Sequence, residues 1–108
     1  MKQDQAAPPD VQALFDELLK PVHENSYDQL VANGDPNFQA SLTPQMVKGV
    51  SAQLAPRIEI GYQAGYMGML DRKNYVSHYW KLAFTDSKGD RLARLSLKGD
   101  KVYAFYVL

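Results

Sequence analysis

GYQAGYMGML, residues Gly61 to Leu70, is the stretch that decides the fold. Its three glycines suit either a loop that binds phosphate or a strand that bends. A phosphate-binding loop lies between a strand and a helix, so that the N-terminal amides of the helix face the anion. Here a turn-like segment, Asp71–Asn74, and a further alternating segment follow, without a Gly-Lys-Ser/Thr ending. We therefore interpret the stretch as a strand.

The side chains in and before this stretch alternate with the period of two that is typical of strands. One parity carries Ile58, Ile60, Tyr62, Ala64, Tyr66 and Leu70. The other carries Glu59, Gly61, Gln63, Gly65 and Asp71. We expect the first set to point inward and the glycines to let a long strand coil and bulge around helices.

Three more strands follow. The segment Tyr75–Asp86 alternates, and its expected inward side chains are Val76, His78, Trp80, Leu82 and Phe84. Turn residues at Asp86–Asp90 lead to the next strand, whose expected inward side chains are Ala93, Leu95 and Leu97. A second turn, Gly99-Asp100, leads to the last strand, Lys101–Leu108. That last strand is apolar on both parities. Its inward set is either Val102, Ala104 and Tyr106 or Tyr103, Phe105 and Val107.

The chain before the strands has the spacing of three and four residues that predicts amphipathic helices. A first helix starts at Asp10, and its apolar stripe consists of Val11, Leu14, Phe15, Leu18 and Val22. We expect Pro21 to kink or end it, because the proline ring clashes with the carbonyl four residues back.

Two further helices are marked by their caps. Ser26 and Gln29 form a capping box for a second helix that runs to Asn33, with Leu30 and Val31 inward. Gly34 suits a left-handed cap, Pro36 prevents continuation, and a loop holds Phe38 and Leu42. Thr43 caps a third helix with Pro44 in its first turn, an apolar stripe of Met46, Val47, Val50 and Leu54, and its end at Pro56.

The N-terminal residues 1–9 predict a disordered leader, because they are mostly polar and contain two adjacent prolines. Residues 10–108 form one α+β domain. The leader resembles what remains after a signal peptide is removed, so we expect a periplasmic or secreted protein, with a cytoplasmic one as the alternative.

Composition excludes several classes of function. The 108 residues include no cysteine, which removes thiol chemistry and thiolate metal sites. Twelve basic residues balance twelve acidic ones, so no net field favours nucleic acid, and no apolar run is long enough for a membrane span. The charges are unevenly placed: Met1–Pro56 has three basic and seven acidic residues, and Arg57–Leu108 has nine and five. This indicates either two solvated layers or a basic sheet surface for an acidic partner.

Helices followed by a four-stranded antiparallel meander resemble the cystatin-like group, which includes the nuclear transport factor 2-like domains and many small bacterial members of unknown function. The resemblance covers Val11–Leu108. It is carried by the element order, by Ser26-Tyr27-Asp28, by Phe38 with Thr43-Pro44, and by the closing Gly99–Phe105. It implies a curved sheet that forms a cone with the helices, a pocket at the wide end of the cone, and dimers formed through the sheet.

The resemblance suggests where a pocket would lie. We expect Tyr62, Tyr66, His78, Trp80 and Tyr27 to line it, with room for a small apolar ligand. Isomerase and dehydratase members of the group use acids, histidines or tyrosines there, so an enzyme would use His78 and Tyr66 in acid–base chemistry. The only acid on an expected inward strand position is Asp86, at a hairpin end. The sequence predicts no metal site and no cofactor, because its two histidines lack ligand spacing.

The opposite face of the sheet is rich in the residue types found at interfaces. Its candidates are Tyr75, Tyr79, Lys81, Arg94, Tyr103 and Phe105. Tyrosine and arginine are enriched at interface hot spots. We expect this face to form a homodimer or to bind another protein. Two functions therefore stay open: a non-catalytic binding or interaction module, which we favour, and a small isomerase or lyase.

Overall fold

The computed structural model describes residues 6–32 and 34–108. Its helices are α1 (Pro9–Glu24), α2 (Tyr27–Val31), α3 (Pro36–Ser41) and α4 (Pro44–Ile60). Its strands are β1 (Tyr62–Asp71), β2 (Val76–Phe84), β3 (Arg91–Lys98) and β4 (Lys101–Val107), and they form one open antiparallel sheet in the order β1-β2-β3-β4. The expected α+β class is confirmed. The predicted helix end at Asn33 and the first five residues of the predicted leader lie outside the described residues.

The helix end assigned to Pro56 is wrong, and Pro21 does not end its helix. Helix α1 continues through Pro21 to Glu24, and Asn25 caps it in the left-handed conformation. Helix α4 continues through Pro56 to Ile60. Each proline lies within five residues of its helix end, so it removes one hydrogen bond near a terminus where few bonds follow. Pro21 and Val22 are buried, and that packing holds the last turn of α1 in place.

A short helix occupies the segment that was expected to be a loop. The Asp35 carboxylate accepts a hydrogen bond from the Phe38 amide at 2.8 Å, and Pro36 occupies the first turn of α3. This is the same signal as Thr43-Pro44, where the threonine oxygen accepts from the Met46 amide. The caps at Ser26 and Thr43 are confirmed. In the α4 stripe, Val47 and Leu54 are buried, whereas Met46 and Val50 are exposed.

Strand β1 begins later and changes face earlier than its alternation predicts. Ile58 and Ile60 belong to α4, so their assignment to the strand is wrong. Between Tyr66 and Gly68 the register shifts, so that Met67 has no partner of its own. Gly68 has a φ of 121°, a conformation that side chains rarely adopt. The bulge reverses the parity, and Leu70, expected inward, is 50% exposed.

A second bulge settles the face of β4. The register shifts between Ser96 and Leu97, which pair with Ala104 and Val102, so Tyr103 is the extra residue. The inward side chains of β4 are therefore Val102, Phe105 and Val107, a set that combines both parities. Phe105, expected on the outer face, is buried and its ring makes an edge contact with Phe15 at 6.1 Å. The outer-face placement of Phe105 is therefore wrong.

The core lies between α1 and the inner face of the sheet. Phe15 stacks on Trp80 with ring centroids 4.1 Å apart, and both side chains are fully buried. The other buried apolar side chains of the core are Val11, Leu18, Leu19, Val22, Leu30, Phe38, Val47, Leu54, Leu82, Phe84, Ala93, Leu95, Val102 and Phe105. The helices thus cover the inner face of the sheet, and no described helix covers the outer face.

Candidate functional site

The sequence-predicted pocket residues Tyr66 and His78 are in direct contact. The Tyr66 hydroxyl lies 2.8 Å from His78 Nδ1, and the two rings are tilted against each other. Tyr66 pairs with Trp80, and beyond the β1 bulge Met69 pairs with His78. The side chains of Tyr66 and His78 both point to the inner face. His78 is only 4% exposed. The hydrogen bond therefore satisfies a buried ring nitrogen that water reaches poorly.

Burial keeps this pair neutral. It lowers the pKa of His78, and the carboxylate of Asp10 opposes that shift in part. Burial also raises the pKa of Tyr66. Near pH 7 the imidazole and the phenol are thus uncharged, and one hydrogen bond joins them. Among the described residues, His78 is 4% exposed and is not among the residues that line the groove beside Tyr66.

The other predicted pocket residues pack into the core or bond to backbone. Trp80 is fully buried, and its Nε1–H donates to Gln12 Oε1 at 3.1 Å. The Tyr62 ring lies 6.1 Å from that of Phe84, and burial raises its pKa. The Tyr27 hydroxyl donates to a backbone carbonyl 15 residues away, that of Leu42. The five predicted residues therefore do not surround one cavity.

Asp86, the only acid expected at an inward strand position, is held by Arg57. Arg57 Nε donates to one carboxylate oxygen at 2.7 Å and an Nη donates to the other at 3.1 Å. These bonds hold the pKa of Asp86 below its usual range. The Arg57 guanidinium also lies 4.1 Å from the Phe84 ring centroid, so the pair joins the end of α4 to the β2–β3 turn. No local sequence pattern indicates this contact between residues 29 positions apart.

Two grooves between helices and strands bear on the predicted pocket. One lies between α1 and β1, has a volume of about 560 Å³, and is open to solvent. Its lining residues are Ala6, Ala7, Pro9, Gln12, Ala13, Asp16, Ala64 and Tyr66. The other lies between α4 and β4, is more enclosed and almost wholly apolar, and has a volume of about 80 Å³. Its lining residues are Val22, Leu30, Leu42, Met46, Val47, Val50, Phe105, Tyr106 and Val107. Neither is the predicted pocket.

The outer face of the sheet assembles most of the predicted interface residues. Tyr75 stacks on Tyr103 with ring centroids 4.6 Å apart. One step along the sheet, Tyr79, Arg94 and Tyr106 are register partners on β2, β3 and β4. The Arg94 guanidinium lies 4.8 Å from the Tyr106 ring centroid. We call these five residues the tyrosine–arginine patch. Lys81 is exposed beside it, and Tyr106 is a member that the sequence left undecided.

The patch covers a polar pair and leaves one polar atom unsatisfied. The hydroxyls of Ser77 and Ser96 lie 2.7 Å apart, and both residues are buried. Arg94 Nε is buried without a hydrogen-bond partner among the residues that the structure describes. An unsatisfied buried donor costs about 1–3 kcal/mol. The side chains of the patch therefore pack against one another, and Arg94 Nε has no acceptor among the described residues.

Charge is divided between the two layers. Within the strands the basic residues are Lys81, Arg91, Arg94, Lys98 and Lys101, and the one acidic residue is Asp71. Asp71 pairs with Val76, an inward residue, so no carboxylate from a strand position lies on the outer face. Helix α1 has the opposite balance, with Asp10, Asp16, Glu17 and Glu24 against Lys20. The outer face is a basic and aromatic surface.

Residues 6–32 and 34–108 contain neither a candidate metal site nor a membrane-spanning helix. In these residues, no cluster of three or more histidine, aspartate or glutamate side chains could hold a metal ion. None of the helices in this part of the chain combines the length and the apolar character needed to cross a bilayer.

Comparisons with known proteins give one structural likeness. No protein-family model and no curated protein sequence matches the chain. A solved structure described as an uncharacterized cystatin fold protein from Novosphingobium aromaticivorans is similar over 94% of this chain and 99% of that one, with 13% identity and a TM-score of 0.46. Its description names the fold that the element order resembles, and it carries no inference about what this chain binds.

Proposed function

We propose that this chain is a non-catalytic interaction module that binds an acidic protein surface through the outer face of its sheet. The observation that supports this most directly is the tyrosine–arginine patch. The contacts of its rings, Tyr75 with Tyr103 and Arg94 with Tyr106, are made within the patch. Aromatic and arginine side chains gathered on one face are typical of interface centres.

The charge distribution favours an acidic protein over two other occupants. A symmetric dimer through this face would bring Lys81 and Arg94 of one copy against the same basic surface of the other, and like charges oppose such docking. Single-stranded nucleic acid also binds basic, aromatic sheets. However, affinity for nucleic acid rests largely on many phosphate contacts, and the patch itself contains one cation, Arg94, with Lys81 beside it. A protein with a local acidic patch avoids both difficulties.

The geometry gives little support to an isomerase or lyase. Such an enzyme needs a base and an oxyanion donor around one substrate position. His78 is buried and already bonded to Tyr66, and the Asp86 carboxylate is bonded to Arg57. The α4–β4 groove is far below the 300–1,000 Å³ typical of small-molecule sites, and the α1–β1 groove reaches that range but is open to solvent. The periplasmic or secreted location stays a prediction.

The test uses a defined acidic and aromatic probe, a random copolymer of glutamate and tyrosine, measured by fluorescence anisotropy at several salt concentrations. We expect the double variant Tyr75→Ser/Tyr79→Ser to lose binding while keeping the fold. We expect Lys81→Gln to weaken binding and to reduce its salt dependence. The matched control Lys48→Gln removes an exposed lysine of α4 and should leave binding unchanged.

Three outcomes would contradict the proposal. Binding that survives the double tyrosine substitution would place the interaction elsewhere. Tighter binding of a single-stranded oligonucleotide by the same face would replace the protein partner with nucleic acid. A dimer in native mass spectrometry that Tyr75→Ser/Tyr79→Ser dissociates would show that a second copy covers the face.

A further inference from the structure

Tyr106 connects the tyrosine–arginine patch to the α4–β4 groove. On the outer face Tyr106 lies beneath Arg94, and it also lines the groove together with Met46 and Val50 of α4. Tyr106, Met46 and Val50 are each between 41% and 49% exposed. A basic surface and an apolar groove thus meet at one residue of an edge strand.

The free edge of β4 lies at this junction. Leu92 and Leu108 exchange both backbone hydrogen bonds, so the even-numbered residues at this end of β4 bond to β3. The amide and carbonyl of Phe105 consequently point away from the sheet. Farther back the edge is already used, because the Asp35 amide donates to the Val102 carbonyl. At the other end, an Arg91 Nη donates to the Val107 carbonyl at 3.5 Å. Among the described residues, the available edge groups are therefore the amide and carbonyl of Phe105 and the amide of Val107, beside the groove, and such edges are templates for an added strand.

The groove has the size and polarity of a side-chain pocket. A water molecule occupies about 30 Å³ of liquid, so a volume of about 80 Å³ has room for a few carbon atoms. Its lining is almost wholly apolar. It suits one branched aliphatic side chain and is too small for a cofactor.

Arg94 supplies the complementary recognition on the outer face. Its Nε has no acceptor among residues 6–32 and 34–108, and its guanidinium is held against Tyr106. A carboxylate forms paired, charge-assisted hydrogen bonds with a guanidinium. No strand acid on that face competes for Arg94.

We infer that the acidic partner binds as an extended segment added to the edge of β4, with one aliphatic side chain in the α4–β4 groove and an acidic side chain on Arg94. This inference rests on the proposed function and names the form of its partner. Successive side chains of a strand point to opposite faces of a sheet. The groove opens on the inner side of β4 and Arg94 lies on the outer side, so the acidic and aliphatic residues occupy positions an odd number of residues apart.

Two labelled peptides of identical composition test this spacing. The first is fluorescein-Gly-Ser-Thr-Glu-Leu-Thr-Ser-Gly, with adjacent Glu and Leu, and the second is fluorescein-Gly-Ser-Thr-Glu-Thr-Leu-Ser-Gly, with the two residues one position farther apart. We expect the first to bind at least threefold more tightly in fluorescence anisotropy. Val50→Asp should abolish that preference, whereas Ala52→Asp, the same change at an exposed position of α4 outside the groove, should preserve it. Arg94→Gln should weaken the binding of the first peptide.

The outcomes separate this inference from the proposed function. Equal binding of the two peptides, a preference that survives Val50→Asp, or binding of the glutamate–tyrosine copolymer without either peptide would overturn the strand-addition inference alone. Failure of the copolymer and both peptides would overturn the proposed function as well. A dimer that Val50→Asp dissociates would show that a second copy occupies the edge. Thermal melts of Val50→Asp and Ala52→Asp establish that both variants are folded.

Discussion

Tyr66→Phe measures what the contact between Tyr66 and His78 contributes. The substitution removes only the hydroxyl oxygen, which lies 2.8 Å from His78 Nδ1. Because His78 is 4% exposed, water cannot readily replace the lost partner, and the buried nitrogen is left unsatisfied. Such an orphaned group costs about 1–3 kcal/mol. For a domain of this size, each kcal/mol lowers the Tm by about 4–8 °C.

The assay is urea and thermal unfolding followed by circular dichroism at pH 8, where the imidazole is neutral. Tyr79→Phe is the matched control, because it removes a tyrosine hydroxyl from a half-buried position on the outer face of β2, the strand of His78. We expect its free energy of unfolding to change by less than about 0.5 kcal/mol. If Tyr66→Phe is as stable as Tyr79→Phe, the hydroxyl does not serve the buried ring, and the structural interpretation of the pair is wrong.

Three further predictions concern stability. Gly34→Ala should destabilise the domain by about 1–3 kcal/mol in urea unfolding, because a methyl group there would overlap the buried ring of Phe38. Gly49→Ala, in the open middle of α4, should instead stabilise the domain by up to about 1 kcal/mol. A change of the same sign for both variants would contradict this reasoning. Burial lowers the pKa of His78 in the folded state, so the unfolded chain binds more protons. The free energy of unfolding should therefore fall as the pH drops from about 6.5 towards the folded-state pKa. His78→Gln should remove this part of the pH dependence, and an unchanged profile would contradict the prediction. Trp80→Ala should cost about 3–5 kcal/mol, and an unchanged Tm would show that this fully buried position is not part of the core.

The sequence was most informative where one short-range rule acts alone. Helix caps at Ser26 and Thr43 follow from side-chain oxygens that reach amides three residues away, and both are present. The same rule applied to Asp35-Pro36 would have identified α3. The proline rule failed at Pro21 and Pro56 because it treats the helix as isolated, whereas packing against other elements stabilises the turns beyond each proline.

Contacts between distant residues could be anticipated only in part. The shared parity of Tyr66 and His78 placed both on the inner face, and the structure brings them within hydrogen-bond distance. Their enclosure depends on how α1 packs over them, which no local pattern determines. The contact between Arg57 and Asp86 joins a helix end to a turn 29 positions away, and its partners show no pairing in the sequence.

The bulges explain why the sequence left the face of Tyr106 undecided and placed Phe105 on the wrong face. Parity assigns faces correctly only while the register is unbroken, and each bulge adds one residue that reverses all later assignments. The bulge at Tyr103 places Val102 and Phe105 together in the core and leaves Tyr106 on the outer face. In an unbroken strand Val102 and Tyr106 would share one face and Tyr103 and Phe105 the other, so Val102 and Phe105 could not both point inward. The face of Tyr106, where the basic patch meets the apolar groove, thus depends on the bulge at Tyr103, and alternation along the sequence does not reveal that bulge.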